Sequence, residues 1–237
     1  MKINRITLLL TVAGFLLYGC GGEVKEKVEY KKTFHRNGKV KEITPYVNGK
    51  AHGLKLEYYD DGAIRMEIPY DSSFVHGVVK FYYPDGKLYS EIPRVKGKIN
   101  GVVKKYHKNG ALHSETPYEN DKPIPGLKEY NQQGVLLEQP KLVFSTNKEK
   151  RGSDLSVSLE VKFSTGIKSA KFFQGIFSDD GKKRFVAIPT TDGVGQISTI
   201  LPKGSSIDKE LVIRGEFVTK YKNRCVVEET YKLNAIN

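Results

Sequence analysis

Tryptophan is absent from the 237 residues, and cysteine and methionine occur twice each. Two cysteines exclude a disulfide-dense scaffold and a zinc site built from four thiolates. Acidic residues are in deficit, with Asp+Glu 27 against Lys+Arg 39 and a formal charge of +12. No apolar run exceeds about a dozen residues, and a hydrophobic content of 38% does not suit a polytopic membrane protein. The chain also has no Gly-rich phosphate loop, HExxH or GxSxG, so nothing in it announces a nucleotide site or a familiar hydrolase. What it has in number is Tyr (14), Phe (11) and Gly (23). The aromatics argue against disorder, and the length allows one or two domains with a real core.

The N-terminus reads as an address. Lys2 and Arg5 precede an apolar stretch over residues 6–17, which ends in Leu17-Tyr18-Gly19-Cys20. It is too short to span a bilayer comfortably and has the build of a secretory signal. It resembles a bacterial lipoprotein signal, with Leu17, Gly19 and Cys20 on the pattern and Tyr18 bulkier than the usual occupant. The resemblance implies removal of residues 1–19 and acylation of Cys20 by chains such as palmitate. Firm attachment to membrane lipid follows, since several acyl chains hold where one would be marginal. Residues 20–32, led by glycine and rich in charge, read as a tether. The expected location is the cell envelope, on the outer membrane, at its periplasmic face or the cell surface. Losing Lys2 and Arg5 takes the charge from +12 to +10, and an exported protein does not meet nucleic acid.

A period of 24 governs residues 33–144. Gly38, Gly62, Gly86, Gly110 and Gly134 stand at equal intervals, each four residues after an aromatic: Phe34, Tyr58, Tyr82, Tyr106 and Tyr130. Aliphatics follow two residues after each glycine, and prolines stand at 45, 69, 93 and 117, with Pro140 one residue early. A second series, Gly53, Gly77, Gly101 and Gly126, slips by one at its last member. A helical solenoid does not tolerate this density of Pro and Gly.

The spacing selects the turn. A type I turn through Pro84 and Asp85, followed by left-handed Gly86 as a G1 bulge, pairs Tyr82 with Leu88. A two-residue loop would instead pair Tyr82 with Tyr89. Each repeat is therefore a hairpin with an aromatic–aliphatic cross-strand pair. Looser turns at Asn48-Gly49, Ser72-Ser73, Lys96-Gly97 and Asn120-Asp121 complete an antiparallel β-meander. Two strands per repeat at about 4.8 Å each advance the sheet by roughly 10 Å. The expected product is an elongated, helix-free sheet.

Segments such as Tyr58-Tyr59-Asp60-Asp61-Gly62-Ala63-Ile64 and Tyr82-Tyr83-Pro84-Asp85-Gly86-Lys87-Leu88 resemble the bacterial variant of the MORN repeat. Members of that family are often labelled antitoxin components, and related MORN repeats are associated with membrane or protein attachment. An exported lipoprotein does not suit a cytosolic antitoxin.

After Pro140 the period stops. The charged stretch 147–154 reads as a long hairpin loop or as the domain boundary. Residues 145–237 carry β-prone runs at 155–163, 170–177, 184–188, 195–200, 210–221 and 224–233. The alternation of Val157, Leu159, Val161 and Phe163 with polar residues marks a half-buried strand. The expected fold is all-β throughout, with this region an antiparallel β-sandwich of immunoglobulin-like architecture. Cys225 reads as a buried structural thiol, because no histidine follows His113 to activate it.

Catalytic, metal and cofactor sites are not expected. His52 and His76 are equivalent in the repeat, but Asn100 and Pro125 break the series, so no zinc set forms. Glu67, Glu91 and Glu115 recur at 24 and are expected to pair with lysines or satisfy turn backbones. Residues 20–144 hold 21 Lys+Arg and 16 Asp+Glu, and 145–237 hold 16 and 11. Neither half concentrates charge as a nucleic-acid domain would. The leading expectation is a lipid-anchored envelope protein that binds or scaffolds another protein. One alternative is a surface glycan binder with Tyr59, Tyr83 and Tyr89 as stacking platforms. The other is an enzyme with Asp179, Asp180 and Asp192 in a cleft of the terminal domain.

Overall fold

The computed structural model describes residues 27–237 and the two-residue strand Leu9–Leu10. Apart from that strand, the signal segment lies outside the described residues, as do Cys20 and the start of the tether. The chain divides into two compact units, one of residues up to Lys122 with Tyr130–Val135, the other of Pro123–Glu129 with Leu136–Asn237.

The first unit is a single antiparallel sheet whose main strands are β1 (Val28–Phe34), β2 (Val40–Val47), β3 (Gly53–Tyr58), β4 (Ile64–Asp71), β5 (Gly77–Tyr82), β6 (Leu88–Val95), β7 (Gly101–Tyr106) and β8 (Leu112–Glu119). They lie in sequence order, the arrangement a meander gives. Residues 28–32, expected as the end of the tether, are strand. Tyr30 stands 24 residues before Leu54, so the repeat begins upstream of its first glycine, behind Glu29, Lys31 and Lys32.

The turn between β5 and β6 shows why Asp-Gly recurs. Gly86 N–H donates to Tyr83 C=O (2.9 Å), Tyr83 N–H donates to Lys87 C=O (2.8 Å), and Gly86 has φ +80°. Asp85 Oδ1 accepts from Lys87 N–H at 3.1 Å. The register shifts between Phe81 and Tyr82, and Tyr82 pairs with Leu88. The same register pairs Phe34 with Val40, Tyr58 with Ile64 and Tyr106 with Leu112. The fifth copy keeps the turn, with Gly134 N–H donating to Asn131 C=O at 3.0 Å.

The turns expected to be looser are in fact two-residue hairpins. Both residues have positive φ at Asn48-Gly49 (50°, 75°), Ser72-Ser73 (49°, 73°), Lys96-Gly97 (49°, 85°) and Asn120-Asp121 (48°, 68°). Asp71 pairs with Phe74, and Val95 with Lys98. Such a turn matches the right-handed strand twist, which offsets the cost of left-handed serines. Beyond it the chain kinks at the second glycine series. Gly77 has φ +112°, and a Cβ there would meet Pro69 Cγ at 3.0 Å. His76 N–H donates to Pro69 C=O at 3.1 Å. The proline and second-glycine series are one feature: the missing Cβ makes room for the ring.

The second unit holds two four-stranded sheets. One is β9 (Leu142–Arg151), β10 (Asp154–Phe163), β13 (Val194–Leu201) and the short strand Thr190–Thr191. The other is β12 (Lys183–Ile188), β11 (Lys171–Phe177), β14 (Ser206–Val218) and β15 (Arg224–Ile236). Leu155, Val157, Leu159, Val161 and Phe163 share one buried cluster with Phe172, Leu211, Ile213, Phe217 and Leu233. The charged stretch 147–154 is neither loop nor boundary. Asn147 to Arg151 pair residue by residue with Ser158 to Asp154 across a turn at Gly152. Their charges suit an edge strand, where they discourage pairing with other chains.

Candidate interaction face

The register sorts the repeat residues into rows. Tyr30 pairs with Pro45, Leu54 with Pro69, Val78 with Pro93 and Val102 with Pro117. These aliphatic and aromatic side chains are exposed, at 45%, 48%, 43% and 44%. Successive members are two strands apart, about 10 Å, with a proline ring on the strand between. A charge-free apolar row thus runs across the sheet.

Beside it, toward the bulged turns, lies a row of tyrosine–carboxylate hydrogen bonds. Tyr106 Oη donates to Glu91 Oε2 (2.7 Å), and Tyr130 Oη to Glu115 Oε2 (3.1 Å). Glu67 stands in the same relation to Tyr82, whose phenol pKa is raised by burial and then by Glu67. Of the recurring glutamates, expected to pair with lysines or satisfy turn backbones, Glu91 and Glu115 instead hold the tyrosine of the next repeat. Burial, then Glu91, pushes the Tyr106 phenol up to about 12. Lys55 is different: burial alone would lower its pKa, but hydrogen bonds to Glu42 (3.0 Å) and Glu57 (3.1 Å) hold it above the usual value.

A further row came without any sequence expectation of its role as a rung. His35 Nε2 lies 3.0 Å from Tyr58 C=O, Tyr59 Oη donates to Tyr82 C=O at 2.6 Å, Tyr83 Oη to Tyr106 C=O at 2.9 Å, and His107 Nε2 lies 3.0 Å from Tyr130 C=O. The signal was present: positions 35, 59, 83 and 107 all carry a ring with a polar tip. Tyr59 and Tyr83, proposed as sugar platforms, are thereby half-buried structural rungs. Tyr89 is 40% exposed and meets Tyr83 edge-on, with ring centroids 5.1 Å apart.

The remaining candidates are dispersed. His52 and His76 are exposed, and His52 faces Asp71 at 3.6 Å. Among the described residues, no three His, Cys, Asp or Glu side chains converge on a metal position. Asp180 is held by its own turn, accepting from Ser178 Oγ (2.5 Å) and Lys182 Nζ (2.7 Å). Those hydrogen bonds, Lys182 first, lower its pKa. Asp192 occupies a different turn with φ +48°. Cys225 is buried at 2% exposure, and burial, then the Glu129 carboxylate, pushes its thiol up to about 12.

No curated protein and no solved structure matches the chain. A family model does, over residues 31–48, 51–72, 75–96 and 99–120. Each matched segment ends on the first residue of a two-residue turn, so the matched unit is the hairpin that carries one Pro of the apolar row and one Asp-Gly or Asn-Gly turn. Over these four segments, about a third of its length, the chain is similar to the MORN repeat variant family.

Proposed function

We propose that the protein is a lipid-anchored component of the cell envelope that binds or scaffolds another protein through its repeat sheet, without catalysing a reaction. The observation that carries this reading is the exposed row Tyr30, Leu54, Val78 and Val102, each opposite a proline. Exposed aliphatic and aromatic side chains recurring along one face of a sheet favour a protein partner. The tyrosine–glutamate bonds and the rungs, both on the bulged-turn side of the row, tie neighbouring repeats together, which lowers the ordering cost of binding. In this reading Cys20 is the acylated residue, the chain after it a tether, and the terminal sheets an immunoglobulin-like sandwich. The glycan alternative is left with Tyr89 as its exposed ring, since the Tyr59 and Tyr83 hydroxyls are engaged.

Affinity capture from detergent-solubilised membranes at native expression tests the reading. A specific partner retained by the wild type and lost by the Leu54→Asp, Val78→Asp, Val102→Asp variant is expected; equal recovery by both defeats it. Mass spectrometry of the mature N-terminus tests the anchor separately. An acylated Cys20 is expected, and an unmodified cysteine or cleavage elsewhere removes the anchor from the proposal.

A further inference from the structure

Glu129 is 6% exposed, yet among the described residues no lysine, arginine or histidine pairs with it. Its hydrogen bonds come from neutral groups, Thr219 Oγ1 and Asn223 Nδ2, both at 2.7 Å and both to Oε1. They tie the carboxylate to the turn between β14 and β15, where Thr219 N–H donates to Asn223 C=O at 2.9 Å. A buried carboxylate without a counter-ion is costly, and neutral donors on one oxygen offset only part of that cost.

The same carboxylate lies in the wall of a hollow of about 580 Å³, within the usual range for a small-molecule site. Leu137, Ile167, Phe217 and Tyr221 supply apolar and aromatic wall. Glu138 adds a second carboxylate and Lys220 one ammonium; the Lys220 ammonium lies over the Tyr221 ring, 5.0 Å from its centroid. The balance at the hollow is negative, with its most buried charge on Glu129. Burial around an apolar stem and a cation directed at a carboxylate and aromatic faces are complementary needs.

We infer that the hollow beside Glu129 binds a primary ammonium group carried on a short alkyl stem. Thr219 and Asn223 hold the carboxylate through Oε1, and Oε2 meets the ammonium. Phe217, Ile167 and Leu137 take the methylene stem. A free alkylamine and a lysine side chain of another polypeptide present this same chemistry. The site is in the second unit and does not depend on the apolar row.

Titration of the purified full chain, followed by amide and aromatic NMR shifts, tests the inference with n-butylammonium, with n-butanol as the neutral isostere, and with a terminally blocked Gly-Lys-Gly peptide. Saturable shifts at Thr219, Asn223 and Phe217 are expected with butylammonium, with butanol weaker by about tenfold or more, as loss of one member of a buried charge pair requires. Glu129→Gln keeps an acceptor for Thr219 and Asn223 but removes the charge, and should weaken butylammonium by a similar factor. If that variant does not fold, the butylammonium–butanol comparison on the wild type decides alone. Tighter binding of the peptide than of butylammonium assigns the site to a protein lysine; equal or weaker binding assigns it to a free amine. Butanol binding as well as butylammonium, Glu129→Gln titrating like the wild type, or no saturable shift overturns the inference.

Discussion

Alanine at position 77 should cost far more than alanine at position 86, although both replace a glycine of positive φ in the same repeat. At Gly86 φ is +80° and no heavy atom lies within 4 Å of an added Cβ. Only the left-handed penalty applies there, about 1–2 kcal/mol. At Gly77 φ is +112° and the added Cβ would sit 3.0 Å from Pro69 Cγ and 3.4 Å from Pro69 Cβ. The ring is rigid and cannot swing aside, so an overpacking cost of about 1–3 kcal/mol adds to the backbone cost. Gly77→Ala should therefore lose about 3 kcal/mol or more on the same two scales. Urea unfolding followed by tyrosine fluorescence measures both variants. The diagnostic step is the double-mutant cycle: Pro69→Ala should cost about 1–2 kcal/mol less in the Gly77→Ala background than in the wild type, a coupling energy expected of residues in contact. Equal losses at positions 77 and 86, or the same cost of Pro69→Ala in both backgrounds, would refute the idea that the proline and second-glycine series recur because they touch.

Replacing Ser72 by Asn and Ser73 by Gly should stabilise the protein by about 1 kcal/mol, because both positions are left-handed and that dipeptide suits the turn; a lower urea midpoint would contradict the turn geometry. An ultraviolet alkaline titration should find one phenol ionising near 12, assigned by its loss in Tyr106→Phe. Because the folded value lies above the ordinary 10.0, this contribution to stability is fully present below about pH 10 and fades as pH rises through about 12. Tyr106→Phe should also cost about 1 kcal/mol at neutral pH through its lost bond to Glu91, and titration of Tyr106 alongside the exposed tyrosines would count against that bond. Cys225 should resist a thiol reagent at pH 8 until the protein is unfolded, since its pKa of about 12 leaves almost no thiolate; rapid labelling of the native protein would show that the thiol is accessible.

The legible features of the sequence are those with a local cause. Asp85-Gly86 and the 82-to-88 spacing specify a bulged turn within seven residues, and the pairing of Tyr82 with Leu88 follows. The six β-prone runs after Pro140 correspond to six of the strands, because alternation and turn glycines are local signals. The illegible features depend on partners in another repeat or on another strand. Glu91 finds its tyrosine fifteen residues on, and Glu129 finds Thr219 and Asn223 90 and 94 residues away. The strand over Leu142–Arg151 was hidden by its own charges, which an edge position tolerates. The apolar row required knowing that the bulge shifts the register, since a shift of one residue changes which side chains share a face. Position 54 then stands opposite the proline at 69.

The rungs formed by His35, Tyr59, Tyr83 and His107 all end on a main-chain carbonyl of the next repeat. A carbonyl is supplied by any residue, so the bond between neighbours does not depend on the identity of the receiving side chain. Duplicating or excising one whole 24-residue unit would therefore recreate the same junction at the splice. The gene can lengthen or shorten the sheet in steps of about 10 Å without inventing a new interface, and repeat number becomes a heritable measure of reach.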